Sequence, residues 1–505
     1  MIQPFVILAA AISAGFGTGA MAQADVGPGR QCQDFMNNSK LTLMLMLAVF
    51  WAGGITPVQA KEKIMKPDKP NLVFFLADDL RAGCLGVLGN SVVKTPNLDK
   101  LLENGLSFCD AYTLGSHTPA VCLPARSMIM TGQSYLHMVS KMGPHLGLIN
   151  PSQVGTPTLV QTMKAAGYAS IRSGKMDNTP MKLEDEFDQN LDGKNAAGNA
   201  DNLIRFIEEH AGKKPLFLYM ASKEPHDPPF STEEFKAMYK PEAMPVPDSF
   251  LPIHPFDNGA MNTRDEVLQK ELPVPRTRES IARRLAIYYA SVSYWDAQVG
   301  RVIEALKKAG QFDSTIFVVA GDNGLSLGDH GLVGKQNLYE FGGMHVPLVF
   351  AGPGIVKGES KALVYLYEVY PSLCELAGIP VPAGLDARSL APILRGRQSK
   401  VRDCLFTAYE FSQRAIRDDR WKLIRYPLID KTQLFDLQAD PHEMADLAGK
   451  PEYAGKIEEL MELMEKTRKE YGDKAPLKVS TASNPKSVPP VNKEQVRSPF
   501  SGLSD

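Results

Sequence analysis

Four short polar stretches of the sequence each follow an apolar run with the length and composition of a buried β-strand. In an open parallel sheet, ligands bind where the carboxyl ends of neighbouring strands meet. A single aspartate after a strand is usually only a turn former, but four stretches with complementary chemistry indicate a site. The four stretches are Asp78-Asp79, Ser173-Gly174-Lys175, Pro225-His226-Asp227-Pro228 and Gly321-Asp322-Asn323-Gly324.

The acidic members of this set suit a divalent metal ion. Carboxylate and amide oxygens are hard ligands that Ca²⁺ and Mg²⁺ prefer, whereas zinc prefers nitrogen and sulfur. Three neighbouring carboxylates without a cation would repel one another and raise each other's pKa. The sequence therefore predicts Ca²⁺, with Mg²⁺ as the alternative, among Asp78, Asp79, Asp322 and Asn323. A solvated loop is the simpler interpretation of the adjacent pair taken alone.

A cysteine lies in the run Cys122-Leu-Pro124-Ala-Arg126, which Thr131-Gly132 follows. Proline is common in the first turn of a helix, so this run predicts a helix that begins near Cys122. Backbone N–H groups at the N-terminus of a helix favour an anion. A buried structural cysteine beside a helix-starting proline is the alternative interpretation.

The run from Cys122 to Gly132 resembles the C-x-P-x-R signature of the sulfatase family, the arylsulfatase-like, formylglycine-dependent branch of the alkaline-phosphatase superfamily. The resemblance extends over roughly residues 69–448. It implies that a maturase converts Cys122 to formylglycine, whose hydrated aldehyde is a gem-diol. One hydroxyl would attack sulfur to give a covalent sulfated intermediate, and deprotonation of the second would expel sulfate.

The same resemblance implies roles for individual residues. Arg126 would hold the modified residue, and Lys175, His226 and Lys335 would surround the sulfate. These groups and the cation would stabilise the charge of the transition state. His117, just before the nucleophile, is predicted to meet substrate. The implied metal ligands are Asp78, Asp79, Cys122, Asp322 and Asn323.

One position departs from the family pattern. The family usually has a histidine two residues after the first lysine, and this chain has Asp177 in Gly174-Lys175-Met176-Asp177. That histidine is the expected base for sulfate release. Asp177 could accept the same proton if desolvation raised its pKa. It could equally mark a slower or inactive enzyme.

Two other functions remain open at this point. A phosphonate or phosphodiester hydrolase can share the modified cysteine, but in that branch the second metal pair tends to be Asp-His, where this chain has Asp322-Asn323. Asp177 also leaves room for a sulfated-glycan binding protein that has lost turnover. The favoured substrate is a sulfate ester of a carbohydrate or another small alcohol.

The elements that position these residues alternate short apolar runs with amphipathic stretches, which predicts an α/β fold. The expected architecture is a mainly parallel, alkaline-phosphatase-like sheet between helices, followed by a small α+β C-terminal domain. A proline-rich stretch at 236–275 is predicted to be a long loop that borders the site. The predicted strands are 71–77, 168–171, 215–220, 315–320, 347–351, 405–410, 414–417, 421–426 and 433–437, and the predicted helices are 97–103, 159–166, 200–210, 281–308 and 457–471.

The domain boundaries follow from composition. Residues 1–60 read as a leader, 61–385 as the catalytic domain, 386–475 as the C-terminal domain and 476–505 as a disordered tail. Within the leader, Met36, Lys40 and an apolar run predict a signal peptide whose true start is Met36. The run is short for a stable membrane span, so we expect cleavage and a periplasmic or secreted enzyme.

Charge and cysteine content exclude other classes. The formal net charge is −2, which gives no reason to expect a nucleic-acid partner. The six cysteines show no CxxC or zinc spacing. Export would permit disulfides among Cys84, Cys109, Cys374 and Cys404, although the sequence does not pair them.

Overall fold

The computed structural model describes residues 69–259, 272 and 274–480. The leader, most of the predicted tail and part of the 236–275 loop lie outside these residues. In chain order the strands are β1 Asn71–Asp78, β2 Leu106–Tyr112, β3 Gly115–Ser116, β4 Ala169–Gly174, β5 Gln189–Leu191, β6 Leu216–Pro225, β7 Thr315–Gly321, β8 Ser326–Leu327, β9 Val333–Gly334, β10 His345–Ala351, β11 Gly358–Tyr365, β12 Leu405–Tyr409, β13 Gln413–Arg417, β14 Trp421–Tyr426 and β15 Lys431–Asp436.

Helices flank these strands. In chain order the described α-helices are α1 Pro96–Leu102, α2 Cys122–Thr131, α3 Tyr135–Met142, α4 Pro151–Val154, α5 Leu159–Ala165, α6 Met181–Glu184, α7 Ala196–His210, α8 Glu233–Lys236, α9 Arg278–Lys308, α10 Val369–Leu376, α11 Ala391–Leu394 and α12 Ala454–Glu470. None of the helices in this part of the chain has the length and apolar character needed to cross a membrane.

The central sheet has eight strands in the order β11-β2-β10-β7-β1-β6-β4-β5. Strand β10 runs antiparallel to both of its neighbours, and the other pairings are parallel. The prediction of a mainly parallel sheet between helices is therefore confirmed. Strands β7, β1, β6 and β4 are adjacent and parallel, so their carboxyl ends form one continuous edge.

The sheet separates two hydrophobic cores. Side chains alternate between the faces of a strand, so Leu72 and Phe74 of β1 enter one core, while Val73 and Phe75 enter the other. The 31-residue helix α9 covers the second face and buries Trp295 completely. Both faces of β1 are closed to water, which explains why residues 72–77 are continuously apolar and not alternating.

The C-terminal strands form a second sheet in the order β15-β14-β13-β12-β3. Its edge strand β3 comes from the catalytic part of the chain and pairs in parallel with β12. Gly115 in β3 has φ +127°, and a Cβ atom there would lie 1.8 Å from the Ala408 carbonyl oxygen. Only glycine allows this approach. The boundary near residue 385 stays a prediction, because the second sheet includes residues from both sides of it.

A buried ion pair also holds the segment between β9 and β10 against the C-terminal sheet. The Lys422 ammonium on β14 lies 2.9 Å from a carboxylate oxygen of Glu340 and 2.9 Å from one of Glu443. Gln413 on β13 donates to the Gln336 carbonyl at 2.9 Å. The segment that carries Lys335 is thus held against the C-terminal sheet. No disulfide forms among the cysteines that the structure describes.

Candidate active site

The polar stretches predicted from the sequence meet at the continuous edge of the sheet. Asp78 ends β1, Asp322 follows β7, Lys175 follows β4 and His226 follows β6. Backbone hydrogen bonding sets the geometry of the first two, since the Asp322 amide donates to the Ala77 carbonyl at 3.0 Å. The sequence reasoning located this edge because it depended only on strand ends, which apolar runs mark clearly.

Three carboxylates and one amide form a buried oxygen cluster, which consists of Asp78, Asp79, Asp322 and Asn323. One ligand atom from each of the three aspartates lies within 4.8 Å of the others. Asp78 Oδ1 and Asn323 Oδ1 are buried and accept no hydrogen bond from the described residues. Two buried oxygens without donors are costly unless a cation binds them. The cluster therefore fits a hard divalent ion.

Basic side chains surround the same oxygen cluster. Lys175 contacts Asp78, and the Lys335 ammonium lies 2.6 Å from Asp79 Oδ1. The Nε of Arg126 donates to Asp322 Oδ2 at 2.8 Å. Burial alone would raise the pKa of Asp78, but Lys175 and the neighbouring cations hold that pKa well below its usual value. Burial and then the Asp78 charge raise the pKa of Asp322 to about 6.

Cys122 lies beside this cluster as the first residue of α2 and is 1% exposed. Its Sγ is 3.6 Å from the Nζ atoms of both Lys175 and Lys335. Ligand atoms of Cys122, Asp78 and His226 also lie within 4.8 Å of one another. Burial raises the pKa of the Cys122 thiol despite the two lysines. The site thus joins a helix N-terminus, two ammonium groups and an oxygen cluster around one residue.

Arg126 lies one helical turn after Cys122, and its side chain is completely buried. Its Nη2 is 3.5 Å from Asp78 Oδ2. Neither Nη1 nor Nη2 donates a hydrogen bond to the described residues. Arg126 therefore anchors the start of α2 to the oxygen cluster and keeps donors available beside residue 122.

His226 is partly open to solvent at the edge of the site. Its Nε2 lies 3.8 Å from Asp79 Oδ2, and its Nδ1 is 2.7 Å from the Asp227 carbonyl oxygen, which fixes the ring. Burial lowers the pKa of His226 to about 4, although the Asp79 carboxylate opposes that change. The imidazole is neutral at pH 7.

Two predicted site residues are not in contact with this constellation. Asp177 is exposed, although Lys175 two residues earlier is buried. The position therefore does not supply the desolvation on which its role as a base depended. His117 is turned toward a different neighbour, because its Nε2 is 2.7 Å from the Pro144 carbonyl oxygen and its ring stacks on Tyr135.

Helix α9 contributes neighbours that the sequence reasoning missed. Buried Arg284 forms an ion pair with Asp227 beside His226, and burial lowers the pKa of Arg284 to about 10. The Tyr288 hydroxyl donates to the Asp79 carbonyl at 2.6 Å. Arg284 and Tyr288 are four residues apart and share a helix face. The four-residue spacing of Arg284 and Tyr288 was the signal in the sequence that could have indicated a shared face, but such spacing is common in helices.

The fold and these side chains define the class, an alkaline-phosphatase-like hydrolase. Residues 70–379 match the family model described as Sulfatase, and residues 328–470 match the one described as N-sulphoglucosamine sulphohydrolase, C-terminal. The first match spans more than half of the chain, so the protein belongs to the sulfatase family. It is a sulfuric ester hydrolase, as predicted.

Individual relatives agree with this assignment. An N-acetylglucosamine-6-O-sulfatase of Bacteroides thetaiotaomicron is 26% identical, over 87% of this chain and 93% of its own length. An arylsulfatase of Clostridium perfringens is 27% identical, over 78% of this chain and 94% of its own. A phosphonate monoester hydrolase from Silicibacter pomeroyi has the same fold, with a TM-score of 0.69, 23% identity and coverage of 84% and 100% of the two chains.

Proposed function

We propose that the protein hydrolyses the sulfate ester of a saccharide through a formylglycine at position 122. The observation that carries this proposal is the placement of Cys122, which lies between two lysine ammonium groups at 3.6 Å beside a buried oxygen cluster. Such a cationic surround suits the sulfate group of the ester, which is a tetrahedral monoanion, and the sulfate dianion that is released. A buried thiol with a raised pKa is a poor nucleophile, so we assign the attack on sulfur to a formylglycine at this position and not to the thiol.

The reaction then follows from the groups in place. One hydroxyl of the residue-122 gem-diol forms a bond to sulfur, the ester S–O bond breaks, and the alcohol leaves after taking a proton. Loss of the proton from the second hydroxyl breaks the bond to the sulfate, which regenerates the aldehyde. Lys175 and Lys335 stabilise the charge on the sulfuryl oxygens throughout. The Nδ1–H of neutral His226 donates to the Asp227 carbonyl, so its Nε2 can accept the proton that the attacking hydroxyl loses and pass it to the departing alcohol.

A divalent cation belongs to this proposal. Asp78, Asp79, Asp322 and Asn323 would hold it together with residue 122, because two of their buried oxygens have no hydrogen-bond donor among the described residues. Bound there, Ca²⁺ or Mg²⁺ would supply electrostatic stabilisation of the negative charge that develops on the reacting group. The hard oxygen donors favour these ions over zinc.

The substrate class comes from the relatives. One acts on N-acetylglucosamine 6-sulfate according to its name, and another, from Formosa agariphila, is an ulvan-active sulfatase. A solved structure of the same fold, with a TM-score of 0.68 and 22% identity, holds D-glucosamine-2-N,6-O-disulfate as its substrate. These names favour a sulfated saccharide. Export by the predicted signal peptide would bring the enzyme to such polymers.

An assay of the matured full-length protein tests this proposal against the phosphonate alternative. We expect 4-nitrophenyl sulfate and sulfated saccharides to be hydrolysed with kcat/KM at least about tenfold above that of an aryl phosphodiester. Asn323 stands where the other branch tends to have histidine, and this favours the sulfatase reaction. Preference for the phosphodiester would contradict the proposal, and saccharide binding without turnover would indicate the non-enzymatic alternative.

The exposed position of Asp177 gives a second prediction. Since an exposed carboxylate has little electrostatic influence on a buried site, Asp177→Asn should keep kcat within about twofold of the parent. Single-turnover kinetics and the mass of the residue-122 peptide check this. Accumulation of a sulfated peptide together with a burst of released alcohol would instead identify Asp177 as the base for sulfate release. Asp185→Asn, at another exposed carboxylate, is the matched control.

A further inference from the structure

We propose that Arg284 is a positioning residue for the departure of the alcohol, because it holds the imidazole of His226 in place through Asp227. This inference rests on the proposed function and adds to it a residue outside the set that surrounds the sulfate. Arg284 lies in helix α9, and its side chain is only 4% exposed. It can therefore act on a substrate only through the residues that it contacts.

Asp227 connects Arg284 to the imidazole through two different groups. Its carboxylate forms the ion pair with Arg284, and its main-chain carbonyl oxygen lies 2.7 Å from the Nδ1 of His226. A carbonyl can only accept a hydrogen bond, so Nδ1 of the neutral ring carries the proton and Nε2 has the lone pair. Movement of the Asp227 side chain would turn the peptide that holds the ring.

The other ring nitrogen of His226 lies beside the reacting groups. Its Nε2 is 3.8 Å from Asp79 Oδ2, and a ring nitrogen lies within 4.8 Å of the Cys122 Sγ. The His226 side chain is 23% exposed, so the protein does not enclose the ring completely, and its hydrogen bond to Asp227 sets its direction. A group that transfers a proton has to lie within hydrogen-bond reach of the reacting atom, so this direction matters for the rate.

Helix α9 gives the ion pair a fixed base. It packs against β6, the strand that leads into His226. One turn after Arg284, the Tyr288 hydroxyl donates to the Asp79 carbonyl at 2.6 Å and accepts from the Arg81 amide at 3.0 Å. The same face of α9 therefore holds the loop of His226 and the loop of Asp79. It thereby sets the separation between the imidazole and the oxygen cluster.

The effect of a displaced imidazole should depend on the leaving group. His226 takes the proton of the attacking hydroxyl with any substrate, but 4-nitrophenolate is weakly basic and leaves without receiving it. The phenolate of phenyl sulfate is more basic, and the alkoxide of a sugar is more basic still, so these groups need the proton as the S–O bond breaks. Loss of the Arg284 contact should therefore slow the more basic leaving groups selectively.

Replacement of both members of the ion pair tests this role without leaving a buried charge unpaired. In matured Arg284→Met/Asp227→Asn, we expect kcat/KM to fall about thirtyfold for phenyl sulfate and about threefold for 4-nitrophenyl sulfate. Arg284→Lys is the milder second variant, because it retains the charge but not the planar guanidinium. It should change the ratio of the two substrates in the same direction, by about threefold.

The matched control is Arg414→Met/Asp473→Asn. That ion pair is similarly buried, with both side chains 3% exposed, and lies in the C-terminal part of the chain. The control should lower Tm and leave the ratio of the two substrates unchanged. Equal losses on both substrates in the Arg284 variants, together with a lowered Tm, would assign the ion pair to stability alone and overturn the positioning role.

Nuclear magnetic resonance separates failure of this role from failure of the proposed function, because it needs no turnover. In full-length Cys122→Ala protein with isotope-labelled histidine, the Nδ1–H of His226 should give a downfield signal that His226→Gln removes. Adding Arg284→Met/Asp227→Asn should abolish this signal, and adding the control pair should preserve it. Persistence of the signal without Arg284 overturns the positioning role. Loss of the signal in a protein whose matured parent cleaves no sulfate ester would support the contact and contradict the proposed function.

Discussion

Replacement of Cys122 with alanine should lower sulfatase kcat by at least about 10⁴-fold, the largest effect expected of any single change. Alanine removes the group that bonds to sulfur, while the lysines, Arg126 and the oxygen cluster remain. Substrate binding should therefore survive better than turnover. Cys122→Ser would keep one hydroxyl but lack the second, so we expect it to accept sulfate once and not release it.

The matched control is Cys374→Ala, which removes another buried thiol within the hydrophobic core. It should lower stability but leave kcat near that of the parent. Mass spectrometry of the residue-122 peptide checks the modification directly, since exchange of the thiol for an aldehyde lowers the peptide mass. Full sulfatase turnover by Cys122→Ala would overturn the mechanism. An unmodified cysteine in a fully active preparation would overturn the formylglycine.

Removal of divalent metal should lower kcat at least about 10³-fold and also lower Tm. An ion that binds only the folded chain stabilises it by about 2.7 kcal/mol at a concentration one hundred times its Kd. The oxygen cluster would otherwise keep buried oxygens without partners. Dialysis against chelator, followed by differential scanning calorimetry with added Ca²⁺, Mg²⁺ or Zn²⁺, measures the effect without relying on activity.

Asp79→Asn identifies the binding position. It removes one charge from the oxygen cluster, so the rise in Tm on adding Ca²⁺ should largely disappear. Asp296→Asn makes the same change at a buried carboxylate that accepts hydrogen bonds from Asn97 and Leu98, far along α9 from the cluster. That variant should be destabilised yet retain the full calcium response. Restoration by Zn²⁺ alone, or equal calcium responses in both variants, would contradict the oxygen-cluster site.

Much of the fold was predictable because buried parallel strands have an unmistakable composition. Strand β1 is apolar on both faces, and the predicted range 71–77 differs from the observed strand by one residue. Strands β2 and β11 were missed for the opposite reason. Residues 358–361 of β11 are largely exposed and polar, and β2 includes Cys109 and Asp110 within a short run. Strand β11 is an edge strand of the central sheet and β2 lies next to it, and the pairing of such mixed sequences is decided by tertiary contacts.

The residues of the active site also divide into those that the sequence could place and those that it could not. Residues at strand ends or in the Cys122 helix could be placed because local structure positions them. Arg284 could not, because it reaches Asp227 from a distant helix. Asp177 shows the reverse, since spacing from Lys175 suggested a role whereas the chain turns its side chain toward solvent. Outside helices and strands, the spacing of two residues in the sequence does not determine the directions in which their side chains point.

The pairing of β3 with β12 also means that one strand of the second sheet is synthesised long before its partner. Gly115 meets Ala408, a residue made about 290 positions later. At about 5–20 residues per second, a ribosome needs roughly 15–60 s to produce that partner. During this interval the segment just ahead of Cys122 lacks its neighbouring strand, and Lys335, whose Nζ lies 3.6 Å from the Cys122 Sγ, is made 213 residues after the cysteine. An enzyme that modifies Cys122 before the fold closes over it has to act within that interval. The interval exists because β12, the strand that pairs with β3, lies in the C-terminal part of the chain.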